Sequence, residues 1–408
     1  MNRLSVPCNA EAKRLMGIIK DRVFAEEFTT KQKDVDDLWK AIIPMPRGSA
    51  EKGELIELAL GLGDEVNEYR DETANYAAKL SEERPLDQWT ENTIGNCHMV
   101  SNHASSGSVI EWLAARKEGF GGSDIGDLLG VTSGKYAKNP MDVVDEKATL
   151  DLDVYSVAQN MVTKDLDVVK GPLARGNAWE SVIAHMYQDN MTPDEVKHLV
   201  TGGSDLLKVL EAKATFANPH RQWQVLNVDG LLCSDGKNPD GILEIKTGSS
   251  LKFFMPDGYK PEDGVFIVPP GYRAQVLNYL NATGFTYAVL VALIGDNRML
   301  VFEIYADETV TGYANGFTFD EAVVMLDDLW MEVIARRKQR YGDNWEEYMA
   351  GMADRCQTLM DRLGGPHEVI RLHDEGTLDT KINAIDFGET AMNDWDEMNK
   401  MAGGPVHW

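Results

Sequence analysis

Residues 227–248 read NVDGLLCSDGKNPDGILEIKTG. The second half of this stretch has the pattern of a strand: Ile242, Leu243 and Ile245 are apolar, and Gly241 and Gly248 punctuate its ends. Side chains alternate along a strand, so Glu244 and Lys246 share one face while Leu243 and Ile245 share the other. A carboxylate and an ammonium on a short apolar strand are costly unless they meet another charge. Asp229, at the end of an apolar run and just before Gly230, can supply a second carboxylate. Two carboxylates make a hard oxygen site suited to Mg²⁺ or Mn²⁺, and a lysine beside them can hold or help deprotonate an attacking water. Taken alone, Glu-Ile-Lys equally describes a solvated pair on an exposed strand face, and so short a motif recurs by chance. The decision rests on the rest of the chain.

At 408 residues the chain can hold more than one domain, and 43% hydrophobic with 26% charged residues is ordinary for a globular protein. No apolar run reaches eighteen residues and the N-terminus lacks the apolar core of a signal peptide, so a soluble, cytoplasmic protein without a membrane span is expected. Cys8, Cys97, Cys233 and Cys356 lie far apart without CxxC spacing, which points to free thiols and away from an iron–sulfur or zinc centre. The net charge of −26 excludes broad, nonspecific nucleic-acid affinity. Acidic residues outnumber basic ones by 19 to 13 in residues 1–110 and by 19 to 9 in residues 320–408, so neither flank offers a basic surface. If DNA is the substrate, a local basic lining and a bound metal must hold it, and binding must be sensitive to salt.

Residues 1–110 read as a helical extension, with helical patterning over 10–28 and 51–79 and a break at Pro44, Pro46 and Gly48. Glu54, Glu57, Glu68 and Asp71 fit a solvated acidic helix face there. At residue 111 the texture changes to EWLAARKEGFGGSDIGDLLG. Trp112 and Arg116 fall on a helix ended by Gly119–Gly122, and Ser123 with Asp124 reads as the N-cap of a short helix. A helix start with a hydroxyl and a nearby Arg can bind phosphate, and the same residues equally describe a cap and a surface Arg. Residues 150–172 carry little signal and read as a loop or insertion. The run GPLARGNAWESVIAHMYQ is a helix on which Glu180 borders the buried face of Trp179, Val182 and Ile183. Strands are expected over 206–210 and 222–228. Residues 271–284, GYRAQVLNYLNATG, form a helix with Tyr272, Gln275 and Tyr279 on one stripe, a pattern more typical of packing, although Gln275 is an odd core residue. Strands over 287–294 and 299–305 make a hairpin through GDNR, and an amphipathic helix covers 320–341. The acidic tail beyond it lacks strong core signals.

Four pieces, in this order, resemble the lambda-exonuclease/YqaJ-type viral recombinase nucleases of the PD-(D/E)xK superfamily: EWLAARKEGFGGSDIGDLLG, LARGNAWE, VDGLLCSDG…GILEIKTG and YRAQVLNYLNATG. The resemblance covers about residues 111–305. It implies an α/β fold with a restriction-endonuclease-like core, a mixed central sheet flanked by helices. The core would span 111–319, between the helical extension 1–110 and a C-terminal helix with an acidic, helical or irregular tail over 320–408. The resemblance further implies that Asp229, Glu244 and Glu180, with the carbonyl of Ile245, hold one or two Mg²⁺ or Mn²⁺ ions. Lys246 would orient or activate the attacking water, with Tyr272 and Gln275 flanking the site. Arg116 and Ser123 would grip a terminal 5′-phosphate, Trp112 would stand one turn away, and Leu173 would be the apolar wedge that parts the strands. The spacing from Asp229 to Glu244 is longer than in the shortest family members, consistent with a hairpin insertion over 234–240.

The expected activity is a metal-dependent 5′→3′ exonuclease on the ends of linear double-stranded DNA, making 3′ single-stranded tails for phage-type recombination. An endonuclease or repair nuclease on the same core is the alternative. A reading of a different class is an interaction module whose acidic flanks recruit a single-strand annealing protein. A ring-shaped homo-oligomer is implied by resemblance alone.

Overall fold

In the computed structural model the described residues are 10–23, 25–46, 49–102, 109–132, 137–164, 171–188, 200–201, 208–248, 251–256, 258–260, 263–294, 298–312 and 316–385. Among them, six strands form a mixed sheet: β3 (Val200–Thr201), β4 (Lys208–Leu210), β7 (Gly230–Cys233), β8 (Gly241–Gly248), β9 (Tyr287–Ile294) and β10 (Arg298–Tyr305), in the order β3-β10-β9-β8-β7-β4. The four short strands β1 (Thr93–Ile94), β2 (Cys97–Asn102), β5 (Ala214–Ala217) and β6 (Val225–Leu226) make a second, antiparallel sheet in the order β1-β2-β5-β6.

The centre of the large sheet is β8 running parallel to β9, with Glu244 beside Leu290 and Lys246 beside Ala292. A parallel pair needs a crossover, which α9 (Pro270–Thr283) supplies. Both central strands are covered on both faces, which is why β9 reads YAVLVALI without alternation. On one face Ile242, Ala288, Leu290 and Ala292 pack with Ala274 and Leu277 of α9 and with Leu326 and Trp330 of α10 (Phe319–Tyr341). On the other, Leu243, Ile245, Val289 and Val291 pack with Trp179, Val182 and Ile183 of α8 (Gly171–Gln188). That second layer extends outward to Ala74, Ala77 and Leu80 of α3 (Ala50–Glu83) and to Leu15 and Ile19 of α1 (Ala10–Val23), while α2 (Glu26–Ile42) packs along α3. A third cluster joins α4 (Val109–Lys117) and α7 (Val154–Lys164) to the C-terminal helices α12 (Met352–Leu363), α13 (Pro366–Asp374) and α14 (Leu378–Asn383), with α11 (Trp345–Ala350) leading into them.

The expected α/β architecture with a helix-flanked mixed sheet is therefore present, and the connection over 234–240 does join antiparallel β7 and β8. Several local expectations need correction. Residues 1–110 are not purely helical, because β2 pairs with β5 more than a hundred residues away. Residues 150–172 contain α7, and the tail continues as α11–α14. The strand expected over 222–228 shortens to β6, because the chain turns just before it: Gln224 N–H donates to the Arg221 carbonyl and Asn218 N–H to the Gln224 carbonyl, both at 3.0 Å. Ser123 is not an N-cap: Gly121 caps α5 (Gly122–Leu128), and its N–H donates to Asp124 Oδ2 at 2.7 Å.

Candidate active site

The pairing of β7 with β8 places Gly230 opposite Leu243, so Asp229 stands opposite Glu244 at the end of the ladder, on the same face. That face is the one covered by α9. Asp229 Oδ2 accepts the Ile245 N–H at 2.7 Å, which fixes the carboxylate against β8 beyond the last strand pair. Lys246 Nζ pairs with Glu244 Oε1. The same oxygen accepts from Gln275 Nε2 of α9 at 2.5 Å, and the Lys246 ammonium lies 5.2 Å from the centre of the Tyr272 ring. Glu244 is 1% exposed, and its Oε2 has no hydrogen-bond partner among the described residues.

Glu180 comes from α8, the helix on the opposite face of the sheet. One side of it is open to solvent. Protein crowds the other, and this desolvation, followed by the nearby charge of Asp229, pushes its carboxyl up to about 8. Glu244 is also pushed up to about 8, first by burial and then by Asp229. Asp229 itself is raised, again by burial first. Burial opposes the charge on Lys246, but Glu244 and Asp229 outweigh it and raise its pKa, so the ammonium stays protonated. Three acids that each resist ionisation around one lysine are short of positive charge. Among the described residues, no three acidic, histidine or cysteine side chains are drawn together tightly enough to hold an ion as they stand. The donor set nevertheless fits a hard divalent cation, because all the donors are carboxylate oxygens and one of them is buried and unpaired.

The Arg116 end of the molecule is tied to the segment that leads into Asp229. Trp112 Nε1 donates to Asn227 Oδ1 at 3.0 Å, and Thr215 Oγ1 donates to the same oxygen at 2.7 Å. The Arg116 guanidinium sits 5.2 Å from the Trp112 ring, and its Nη2 donates to Ser123 Oγ at 3.3 Å. The loop leading into α5 is anchored to the start of β6, since Phe120 N–H donates to the Trp223 carbonyl at 2.7 Å and the Phe120 carbonyl accepts from Val225 N–H at 3.3 Å. Gly119 is required there: a Cβ would meet the Trp223 oxygen at 2.5 Å.

Asp229, Glu244, Lys246, Gln275 and Tyr272 thus share one neighbourhood, Glu180 adds its charge from the other side, and Arg116, Ser123 and Trp112 form an adjoining cluster. Leu173 begins α8, but its side chain lies outside the described residues. Sequence reading set Tyr279 on the stripe with Tyr272 and Gln275 but gave it no role at the site, and it gave Asn227 none either. Gln275 Nε2 donates to Tyr279 Oη at 3.1 Å, and Tyr279 Oη donates to the Asn227 carbonyl at 2.9 Å, which links α9 to the segment entering Asp229. The signal for Tyr279 was its position one turn after Gln275; Asn227 had none.

Residues 111–286 match the YqaJ-like viral recombinase domain. Among solved structures, the chain is similar to an alkaline exonuclease (LHK-Exo) from Laribacter hongkongensis and to LHK-Exo in complex with dAMP. In each case the identity is 16%, the TM-score is 0.31, and the match covers 61% of this chain and 98% of the other. Comparison with curated proteins gave no match. No helix among the described residues is long and apolar enough to cross a membrane. Motif order, sheet order and the domain match converge: residues 111–286 are a YqaJ-like viral recombinase domain on a PD-(D/E)xK core, and the chain is a nuclease.

Proposed function

We propose that the protein is a Mg²⁺- or Mn²⁺-dependent 5′→3′ exonuclease that enters linear double-stranded DNA at its ends and leaves 3′ single-stranded tails for phage-type recombination in a bacterial cytoplasm. The observation that carries this reading is the junction of two clusters. The Trp112–Arg116–Ser123 group is hydrogen-bonded to Asn227, two residues before Asp229. An anion-binding group joined to the segment that carries Asp229 suits recognition of a chain terminus beside the bond to be cut.

Asp229, Glu244 and Glu180, with the Ile245 carbonyl, would hold the cation. Held there, the cation would supply positive charge to polarise the scissile phosphate and to make a nearby water more acidic. The residues of the chain do the rest. Lys246, kept protonated by its acidic neighbours, orients the water and stabilises charge developing on the phosphate; it is not the base. Gln275 fixes the Glu244 carboxylate by its hydrogen bond to Oε1, leaving Oε2 for the metal. Arg116 and the Ser123 hydroxyl grip the terminal 5′-phosphate and set the register. Leu173 as the strand-parting wedge, a ring-shaped homo-oligomer and an annealing protein that receives the tail complete the reading by resemblance.

The test compares linear duplex with covalently closed circles in the presence of Mg²⁺. Release of nucleotides from 5′ ends of linear DNA, with closed circles intact, is expected. Lys246→Ala and Glu244→Gln should each lower kcat by about 10²–10³-fold. Cutting of closed circles would replace this reading with the endonuclease one. Full activity in Lys246→Ala would overturn the catalytic assignment itself.

A further inference from the structure

One charged group at the Arg116 corner serves neither the carboxylate cluster nor the phosphate grip. Lys147, on α6 (Pro140–Ala148), is 4% exposed. Its Nζ lies 2.7 Å from Asp124 Oδ2 and donates to the backbone oxygen of Arg116 at 2.8 Å. These two partners bracket the grip: one is the main chain of the arginine itself, and the other is the residue following Ser123. Asp124 in turn holds the first turn of α5 through Gly121 N–H. The position of α6 is also fixed, because Arg337 Nη2 of α10 donates to the Lys147 carbonyl at 2.8 Å and to the Lys117 carbonyl at 2.6 Å.

Asp124 makes this arrangement consequential. It is a largely buried carboxylate, 13% exposed, close enough to Arg116 for the two charges to interact. Burial opposes its ionisation, but Lys147 and, after it, Arg116 hold its pKa below the usual carboxylate range. Without Lys147, that carboxylate would be an internal competitor for Arg116, the group that a terminal phosphate needs.

We infer that Lys147 is a positioning residue for the DNA-end site: it ties Arg116 and Ser123 together and masks Asp124, so that the guanidinium is available to a 5′-phosphate. This rests on the reading of Arg116 and Ser123 as the phosphate grip. A lysine serving stability alone would leave the choice between end groups untouched.

The experiment measures kcat and KM of the full chain on linear duplexes bearing either a 5′-phosphate or a 5′-hydroxyl. Wild type is compared with Lys147→Met, Lys147→Arg and the double variant Lys147→Met/Asp124→Asn. In Lys147→Met, KM for phosphorylated ends should rise about tenfold while hydroxylated ends change less than about threefold, so the preference collapses. Lys147→Arg should retain most of the preference. The double variant, which has no unmasked anion, should regain part of it. Should Lys147→Met fail to fold, the double variant carries the test, because replacing both members of a buried pair is tolerated far better than replacing one. Its preference should then fall at least about threefold below wild type, the tie between Arg116 and Ser123 being lost. A preference equal to wild type in the folded variants, or a parallel fall on both substrates, overturns the inference alone. A wild-type enzyme indifferent to the 5′-phosphate overturns the grip, and this inference with it.

Discussion

The two oxygens of Glu244 have different fates. Oε1 is shared by Lys246 and Gln275, while Oε2 is buried with no partner among the described residues. With Glu180 and Glu244 both raised to about 8 from an ordinary 4.5, the metal-free folded chain holds more protons than the unfolded chain between those values. Stability must then fall as pH rises through that window, because the unfolded state has the fewer protons there. Divalent metal should reverse the effect, since it competes with those protons. Melting curves of metal-free protein should therefore show Glu244→Gln gaining on wild type between pH 5 and pH 8.5. Mg²⁺ should raise the wild-type melting temperature more at pH 8 than at pH 6. A pH-independent difference between wild type and Glu244→Gln would refute this. At this scale the sequence was informative wherever chemistry and environment conflict. Glu244 and Lys246 on an apolar strand, and Gln275 on a packing stripe, stood out because buried polar groups demand partners. Lys147 did not stand out, since a lysine on an amphipathic helix usually faces solvent, and Asp124 stood out only as part of a helix cap.

Among elements, the approach of α5 to α9 controls the site most directly. A Cβ at Gly122 would lie 2.3 Å from Tyr279 Oη and 2.7 Å from Gln275 Cγ. Those two side chains bond the Asn227 carbonyl and Glu244, so a displacement there reaches both the strand entry and the carboxylate. Gly122→Ala should cost about 1–3 kcal/mol in stability, as overpacking does, and should lower kcat more than it changes KM. Thermal melts and steady-state kinetics check this; an unchanged kcat would mean that α9 is not the strut for Glu244. Long periodic elements were legible in the sequence: α3, α9, α10 and the β9–β10 hairpin stand close to their expected places. Elements defined by distant partners were not. The β2 strand exists because it pairs with β5 across the chain, the two-residue β6 because it closes onto β5, and α11–α14 bury their apolar sides against one another and against α4, α7 and α10. Ser123 was misplaced by two positions because Gly121, with Asp124 reaching back to its N–H, took the capping role.

Across the whole molecule, the matched segment 111–286 is not self-sufficient. Trp330 and Leu326 of α10 belong to the same core as the sheet, and Arg337 of that helix is fully buried. Its guanidinium lies 4.9 and 5.1 Å from the rings of Trp330 and Trp345, and it donates to the carbonyls of Lys117 and Lys147. Burial lowers its pKa to about 10. Arg337→Met should cost about 3 kcal/mol or more by orphaning those carbonyls, and it should loosen the end of α4 that bears Arg116. Chemical denaturation measures the first effect, and weakened discrimination of 5′-phosphate ends measures the second. On the proposed function, the acidic balance of the chain, −26 overall, would leave DNA to be held by this corner and the metal rather than by a broad basic surface.

The place of Arg337 in the chain has a consequence for synthesis. Translation delivers Lys246 some ninety residues ahead of Arg337, an interval of roughly 5–20 s at ordinary ribosomal rates. Until α10 leaves the exit tunnel, the sheet lacks one of its covers and the α4 and α6 termini lack their clasp. Throughout that interval the α10-facing side of the sheet would stay uncovered, and a completed core is expected only after the helix beyond the matched domain has docked.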